Sequence, residues 1–261
     1  MSFNVIIPAR FASSRLHGKP LMDIHGHPMI YWTWQQALKS GAQRVVIATE
    51  SEQVKSVCEA FGAEVCLTGE HHQSGTERIA EVIDQLCLLD NEIIVNLQGD
   101  EPMLPEDLIH QVAQALEGRH DVFMATLCEP IEDLDTLFSP HAVKVSRDAQ
   151  NFAINFSRAP LPWARDEFAT EPKVLPTNWH YKRHIGLYAY RAGFVKRYVA
   201  WPECDLEQVE KLEQLRVVWH GERILVEDAL CDAGVGVDTQ AQLDKVRQLI
   251  KPIQADSPSA N

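Results

Sequence analysis

Val5-Ile6-Ile7-Pro8-Ala9-Arg10-Phe11-Ala12-Ser13-Ser14-Arg15-Leu16-His17-Gly18-Lys19-Pro20 joins a short apolar run to a loop carrying the cations Arg10, Arg15 and Lys19. Residues 5–7 read as a first, buried strand. A nucleoside triphosphate bears about four negative charges, and guanidinium forks and exposed amides in such a loop can hold them. Gly18-Lys19 is followed by Pro20, where a Walker loop needs Ser or Thr for its metal. The loop therefore predicts a phosphate grip of another kind at the end of a first α/β strand.

Outward from this loop the chain alternates strands and helices. Residues 28–39 read as a helix, with Pro28 in its first turn and Gly41 just past its end. Residues 44–49 are a strand. Ser51 caps a helix whose Val54, Val57, Cys58 and Phe61 share one face, and Gly62 closes it. A strand at 64–68 precedes a helix at 76–86 with Ile79, Val82, Ile83 and Leu86 on one stripe. Residues 92–97 form a continuous apolar strand, 105–116 a helix and 122–127 a strand. This order predicts an α/β fold with a mostly parallel sheet and helices on both faces.

The rhythm changes after residue 130. Residues 142–146 and 152–156 read as a hairpin around 148–151, 165–178 as a polar exposed loop, and 183–190 as a strand. Residues 206–219 read as one helix ended by Gly221, 223–227 as a strand and 240–250 as a last helix. The expectation is one domain over 1–250, with a β-rich lobe inserted at about 130–200 and a disordered tail at 251–261.

The 261 residues, 45% of them hydrophobic, suffice for such a domain. A formal charge of −13, from 37 acids against 24 bases, argues against nucleic acid and anionic membranes as partners. It leaves room for a local cationic pocket. The apolar start is too short for a signal peptide or a membrane span. The 6 cysteines include no Cys-x-x-Cys pair and read as reduced core thiols of a cytoplasmic protein.

In parallel α/β sheets ligands gather beyond the carboxyl ends of the strands. Gln98-Gly99-Asp100-Glu101-Pro102 falls there, and Asp100 reads either as a turn acid or as a carboxylate holding Mg²⁺ against a triphosphate. Gly234-Val235-Gly236-Val237-Asp238-Thr239 brings Asp238, whose alternative role is an N-cap. Together Asp100 and Asp238 would supply the carboxylate pair that Mg²⁺ takes beside phosphate oxygens. Ser74-Gly75-Thr76-Glu77-Arg78 opens a helix, as a ligand turn or a capping arrangement. Arg158 suits a sugar carboxylate, and His184 suits a hydroxyl or a structural hydrogen bond. Glu213-Gln214, on the helix predicted at 206–219, reads first as a solvated face.

These segments occur in the order of one family. Ile6-Ile7-Pro8-Ala9-Arg10, Gly18-Lys19-Pro20-Leu21, His72-Gln73-Ser74-Gly75-Thr76-Glu77-Arg78 and Asn96-Leu97-Gln98-Gly99-Asp100-Glu101-Pro102 are followed by further matches. These are Phe156-Ser157-Arg158, Arg183-His184-Ile185-Gly186, Leu212-Glu213-Gln214-Leu215-Arg216 and Gly236-Val237-Asp238-Thr239. From residue 2 to about residue 250 the chain resembles the 3-deoxy-manno-octulosonate (Kdo) cytidylyltransferases, the CMP-Kdo synthetases. The chain departs from the family's usual pattern at His17, where proline is usual, at His25-Gly26-His27-Pro28, which lacks a cation, and at Glu50, where Asp is common.

The resemblance implies a nucleotide-diphospho-sugar transferase fold, Rossmann-like, whose inserted β-rich lobe serves sugar binding and dimerisation. It implies a cytoplasmic homodimer that uses CTP and Mg²⁺ to activate Kdo for lipopolysaccharide synthesis. By matching position, Arg10, Arg15, Lys19, Ser74 and Arg78 would contact CTP, with Lys19, Arg15 and Asp100 at the reacting phosphate. Asp100 and Asp238 would hold Mg²⁺, and Gln98, Arg158, His184, Glu213 and Gln214 would face the sugar acid. The same chemistry on an 8-amino analogue or another acid sugar stays open, as does a non-catalytic nucleotide-binding role.

Overall fold

The computed structural model describes residues 2–12, 16–169 and 171–252. In chain order the elements are β1 (Phe3–Pro8), β2 (Asp23–Ile24), β3 (His27–Pro28), α1 (Met29–Lys39), β4 (Arg44–Thr49), α2 (Glu52–Ala60), β5 (Glu64–Leu67), α3 (Gly75–Gln85), β6 (Ile93–Asn96) and α4 (Glu106–Gln114). There follow β7 (Met124–Pro130), α5 (Leu134–Phe138), β8 (Lys144–Arg147), β9 (Ala153–Ser157), β10 (Lys182–Arg191), α6 (Ala192–Val199), α7 (Asp205–Glu210), α8 (Gln214–Trp219), β11 (Ile224–Asp228) and α9 (Gln240–Leu249).

The main sheet runs β11-β7-β10-β6-β1-β4-β5, with β8 joining β10 and β9 joining β8. The pairs β1–β4, β1–β6, β4–β5 and β7–β11 are parallel. β10 is antiparallel to both β6 and β7. The α/β fold with a mostly parallel sheet is therefore as expected. The segment at about 130–200 contributes β10 to the middle of the main sheet and the β8–β9 hairpin to its side.

Strand alternation explains why helices cover both faces. Phe3, Val5 and Ile7 of β1 pack in one core with Ile30 and Trp34 of α1, Val54 of α2, and Leu108 and Val112 of α4. Ile6, one residue out of phase, packs in the other core with Ile79 and Ile83 of α3, Val195 of α6 and Leu215 of α8. Side chains of a strand point alternately to its two faces, so a run apolar at every position must be covered twice. Full burial of one such side chain stabilises by roughly 1.5–3 kcal/mol.

Several expectations need correction. The helix read over 206–219 is two, α7 and α8, broken where Lys211 adopts a left-handed φ of 54°. In α7 Leu206 and Val209 are exposed, at 48% and 83%, whereas Glu207 is buried. Glu207 forms a bidentate pair with Arg216, both bonds 2.7 Å, which staples α7 to α8 across the break. The strand read at 122–127 lies further on, as β7, because it pairs along its length with β10 and β11. Helices α5 and α6 were not anticipated. The described residues of 165–178 hold no regular element, as expected of a loop, but Phe168 is buried against Ile131, Leu137 and Tyr181. Cys87 and Cys231 are exposed, so only Cys58, Cys66, Cys128 and Cys204 are core thiols. Residues 253–261 of the expected disordered tail lie outside the described residues.

Candidate active site

β1 and β6 are parallel neighbours, so the loops leaving their carboxyl ends emerge side by side. After β1 the chain bends back through Gly18, at φ 65°, into a short 3-10 turn at Lys19–Leu21. Glycine visits that left-handed region without a Cβ penalty. The turn sends the Lys19 side chain inward, where it is only 11% exposed. After β6, Gly99 lies against β1 so closely that a Cβ would stand 2.9 Å from the Pro8 carbonyl. The next residue, Asp100, meets Lys19: Nζ is 2.5 Å from Asp100 Oδ2 and 3.2 Å from Asp238 Oδ1.

Asp238 reaches this point along a glycine strap from the far end of the sheet. The Val237 N–H donates to the Asp100 carbonyl at 2.9 Å. A Cβ on Gly236 would lie 2.5 Å from Glu101 Oε1, and Gly234, at φ 77°, passes close to the Met103 carbonyl. Only a chain without side chains at 234 and 236 can lie this flat. The N-cap alternative for Asp238 fails, because Thr239 caps α9 in a capping box with Gln242.

Arg10 lines the same cleft as Lys19, Gly75, Gln98, Asp100 and Asp238, a space of about 310 Å³. Its Nη1 donates to the Gln73 carbonyl at 3.0 Å. Ser74 caps α3, its Oγ accepting from the Glu77 N–H, and the cleft is lined instead by Gly75. Arg78 is buried outside the cleft, 3.0 Å from Glu50 Oε2, and also donates to the Thr68 hydroxyl. Burial lowers its pKa, against the pull of Glu50. Glu50 in turn accepts from the Phe11 N–H at 2.9 Å. Arg78 and Glu50 thus brace the cationic loop from behind. Arg15 lies outside the described residues.

Next to the cleft, and sharing Gly75 and Gln98 with it, is a cavity of about 140 Å³ lined also by Thr76, Asn96, Tyr188, Tyr190, Glu213 and Gln214. The break at Lys211 turns Glu213 and Gln214 into this cavity, so the solvated-face reading fails. Glu213 accepts from the Thr76 hydroxyl at 2.8 Å. Burial pushes its carboxyl above the ordinary range, against that hydrogen bond. The Gln214 Nε2 is buried without a protein partner, and the Gln98 amide is held by Asn96 Oδ1 at 3.0 Å.

A further space of about 370 Å³, lined by His184, Arg183, Tyr188, Gln214, Asp100 and Asp238, completes the cleft. His184 Nε2 lies 3.0 Å from the Thr126 hydroxyl. Burial, with Arg183 adding to it, holds its pKa down to about 3, so the ring is neutral. Arg158 lines none of these spaces. Its guanidinium donates to the carbonyls of Glu210 at 2.7 Å and Pro140 at 2.8 Å. The guanidinium that lines this last space is that of Arg183, whose Nε donates to Glu129 Oε1 at 2.7 Å.

Sequence reasoning missed Tyr188 and Tyr190, whose i, i+2 spacing on one strand was the available signal. It also missed Glu101, which burial and then the Asp100 and Asp238 carboxylates push up to about 8. Among the described residues no three His, Cys, Asp or Glu side chains converge on a metal-sized site. The hard oxygen pair of Asp100 and Asp238, already facing one cation in Lys19, suits Mg²⁺ completed by substrate oxygens and water.

Comparison with known proteins gives the family. A family model described as Cytidylyltransferase matches residues 4–224. The chain is 70% identical over 256 residues to "3-deoxy-manno-octulosonate cytidylyltransferase 1" of Hydrogenovibrio crunogenus, covering 98% of this chain and 99% of that one. It is 54% identical to a 3-deoxy-manno-octulosonate cytidylyltransferase of Pseudomonas fluorescens, covering 96% and 98%. Among solved structures, a CMP:2-keto-3-deoxy-manno-octonic acid synthetase complexed with CTP superposes with a TM-score of 0.85 at 38% identity, covering 95% and 97%. A Leptospira borgpetersenii cytidylyltransferase at 12% identity, TM-score 0.59, shares the fold. With matches of this extent and identity, the chain belongs to the 3-deoxy-manno-octulosonate cytidylyltransferase family.

Proposed function

We infer that the protein transfers the cytidylyl group of CTP to Kdo, giving CMP-Kdo and pyrophosphate for lipopolysaccharide synthesis. The observation that carries this reading is the meeting of Lys19, Asp100 and Asp238 in a cleft that shares Gln98 with a neighbouring polar cavity lined by Glu213 and Gln214. The triphosphate lies along the first space, and the sugar acid takes the second together with the adjoining space lined by His184.

In the step, the anomeric hydroxyl oxygen of the sugar bonds to the α-phosphorus, the bond from that phosphorus to the β-phosphate oxygen breaks, and the hydroxyl proton passes to solvent. Such a transfer depends on positioning and on stabilising charge that develops on phosphate oxygens. Lys19 and Arg10 neutralise the departing pyrophosphate, with Arg15 on the same loop. Gln98 stands at the junction of the two spaces and orients the hydroxyl. His184, being neutral, binds the sugar by hydrogen bonds and carries no charge. Mg²⁺ held by Asp100 and Asp238 would supply charge neutralisation at the α-phosphate.

Glu213, a carboxyl raised by burial, is a hydrogen-bonding partner for a sugar hydroxyl in this cavity. The homodimer of the family belongs to the same reading, supported by the exposed apolar side chains Trp163, Val174 and Trp179. So does a cytoplasmic location, where CTP is available.

The test is pyrophosphate release with Mg²⁺ and CTP, comparing Kdo, 8-amino-Kdo and sialic acid, with ATP, GTP and UTP as nucleotide controls. Release with Kdo and CTP is expected. Preference for 8-amino-Kdo would change the substrate and keep the chemistry, whereas no release with any pair would overturn the reading. Sedimentation velocity checks the dimer.

A further inference from the structure

Lys144 is wholly buried at the start of β8, yet it touches none of the cleft spaces. Its ammonium donates to the Ser139 carbonyl at 2.8 Å, to the Ala142 carbonyl at 2.5 Å and to the Arg158 carbonyl. Its three N–H bonds are thus spent on main chain from two segments. One segment, 139–143, forms a wall of the cleft through His141, Ala142 and Val143. It is tied to β10 by the His184 N–H donating to the Val143 carbonyl at 2.8 Å.

The other segment leads to the opposite wall. Arg158, whose carbonyl Lys144 holds, donates its own N–H to Glu210 Oε2 at 2.9 Å, and its side chain donates to the Glu210 carbonyl. Ser157 Oγ adds a bond to Glu210 Oε1 at 2.7 Å. Glu210 is the last residue of α7, and the left-handed Lys211 that follows delivers Leu212, Glu213 and Gln214 to the cleft. Arg158 Nη1 closes the circuit by donating to the Pro140 carbonyl at 2.8 Å. A charge buried this deeply costs several kcal/mol to desolvate, about as much as its hydrogen bonds return. Fold stability alone therefore gives little reason for a cation here. What this node provides is a fixed distance between the two walls.

We propose that Lys144 is the positioning residue of the sugar side of the cleft, locking the 139–143 wall to the kink that presents Glu213 and Gln214 through Arg158 and Glu210. The assignment rests on the reading of that side as the sugar site. The nucleotide grip at Lys19, Asp100 and Asp238 is built from other elements and does not pass through the node.

The experiment compares Lys144→Met, Glu210→Gln and Gln214→Ala in the full-length protein. CTP binding is measured by calorimetry, and KM for the sugar and kcat by pyrophosphate release. Loss of a positioning contact that acts only on sugar binding raises KM for the sugar with little change in kcat. For Lys144→Met the expected result is a sugar KM raised about tenfold or more, with CTP affinity within about twofold. Glu210→Gln keeps the shape of the node and should raise the sugar KM by about threefold; it decides the matter if Lys144→Met does not fold. Unchanged sugar KM, or equal losses for sugar and CTP, would overturn the proposal. Gln214→Ala separates the two layers of inference. If it raises the sugar KM while the node variants do not, the node proposal fails and the sugar site stands. If Gln214→Ala also leaves the sugar KM unmoved, the sugar-site reading fails and takes the node proposal with it.

Discussion

The proposed phosphate site turns on Lys19. Its ammonium lies between two carboxylates that would otherwise repel each other across a few ångströms. Under the proposed function, a triphosphate and Mg²⁺ would let the same ammonium turn to phosphate oxygens. Lys19→Ala should lower kcat about 10²-fold, the usual scale for a removed charge-stabilising donor. Steady-state rates at saturating CTP and sugar test this, and a loss confined to sugar KM would contradict it. Lys19 was legible in the sequence because a cation between glycine and proline in a strand-end loop has few structural uses. Glu50 and Glu101 were not, since an acid beside a loop carries no mark of what it will face.

His184 gives a second prediction at this scale, with a definite sign. Unfolded, its ring gains a proton as pH falls through 6.5; folded, it stays neutral down to about 3. Between those values the unfolded chain binds the extra proton, so acidification destabilises the fold. The slope from this one residue is at most about 1.4 kcal/mol per pH unit. Urea unfolding from pH 7 to pH 4 should show a shallower acid limb in His184→Asn than in the native protein. An identical limb would mean that the ring titrates normally.

At the scale of elements, the strap at residues 234–238 decides whether Asp100 and Asp238 meet at all. Asp238 leaves the end of a segment that follows β11, at the opposite edge of the sheet from β5, and meets Asp100 only because Gly234 and Gly236 let the backbone lie against the 100–103 turn. In Gly236→Ala the new methyl must displace the Glu101 carboxylate or lift the strap. The half-saturating Mg²⁺ concentration should rise by roughly tenfold, about 1.4 kcal/mol of lost binding. A magnesium titration of initial rates checks this, and an unchanged midpoint would place the metal elsewhere. The two glycines were visible in the sequence as a flexible run, but the surface they lie against was not.

The break between α7 and α8 belongs to the same scale. The sequence reads as one continuous helix over 206–219, ended by Gly221. The Glu207–Arg216 pair and the left-handed Lys211 instead turn Glu213 and Gln214 inward. Helical periodicity assumes that apolar residues mark the buried face. That assumption fails where a buried ion pair takes the inner positions.

For the molecule as a whole, the central question is how a chain of net charge −13 binds a tetra-anion. Under the proposed function the cations that do so are gathered on the loop after β1, and the polar cavity proposed for the sugar is set where β10 enters antiparallel between β6 and β7. Ligand binding there should stabilise the entire fold. With Mg²⁺ present and CTP at about 100 times its Kd, unfolding should cost about 2.7 kcal/mol more than without ligand. Chemical denaturation with and without CTP measures the difference. ATP at the same concentration should give a much smaller effect, and equal stabilisation would remove cytosine selectivity from the reading.

The sequence by itself determined the alternation of strands and helices up to residue 116, the cationic loop and the aspartates beyond the strand ends. These are local signals, written in apolar spacing, caps and turn residues within a few positions of each other. Only the tertiary structure decided that the Arg78 and Arg158 side chains lie behind the cleft, that Arg183, Tyr188 and Tyr190 line it, and that Asp238 is no cap. The physical reason is that an arginine or an aspartate has the same local pattern whether it faces ligand or main chain. Which partner it finds depends on contacts as far apart as Lys19 and Asp238, and those exist only once the sheet is assembled.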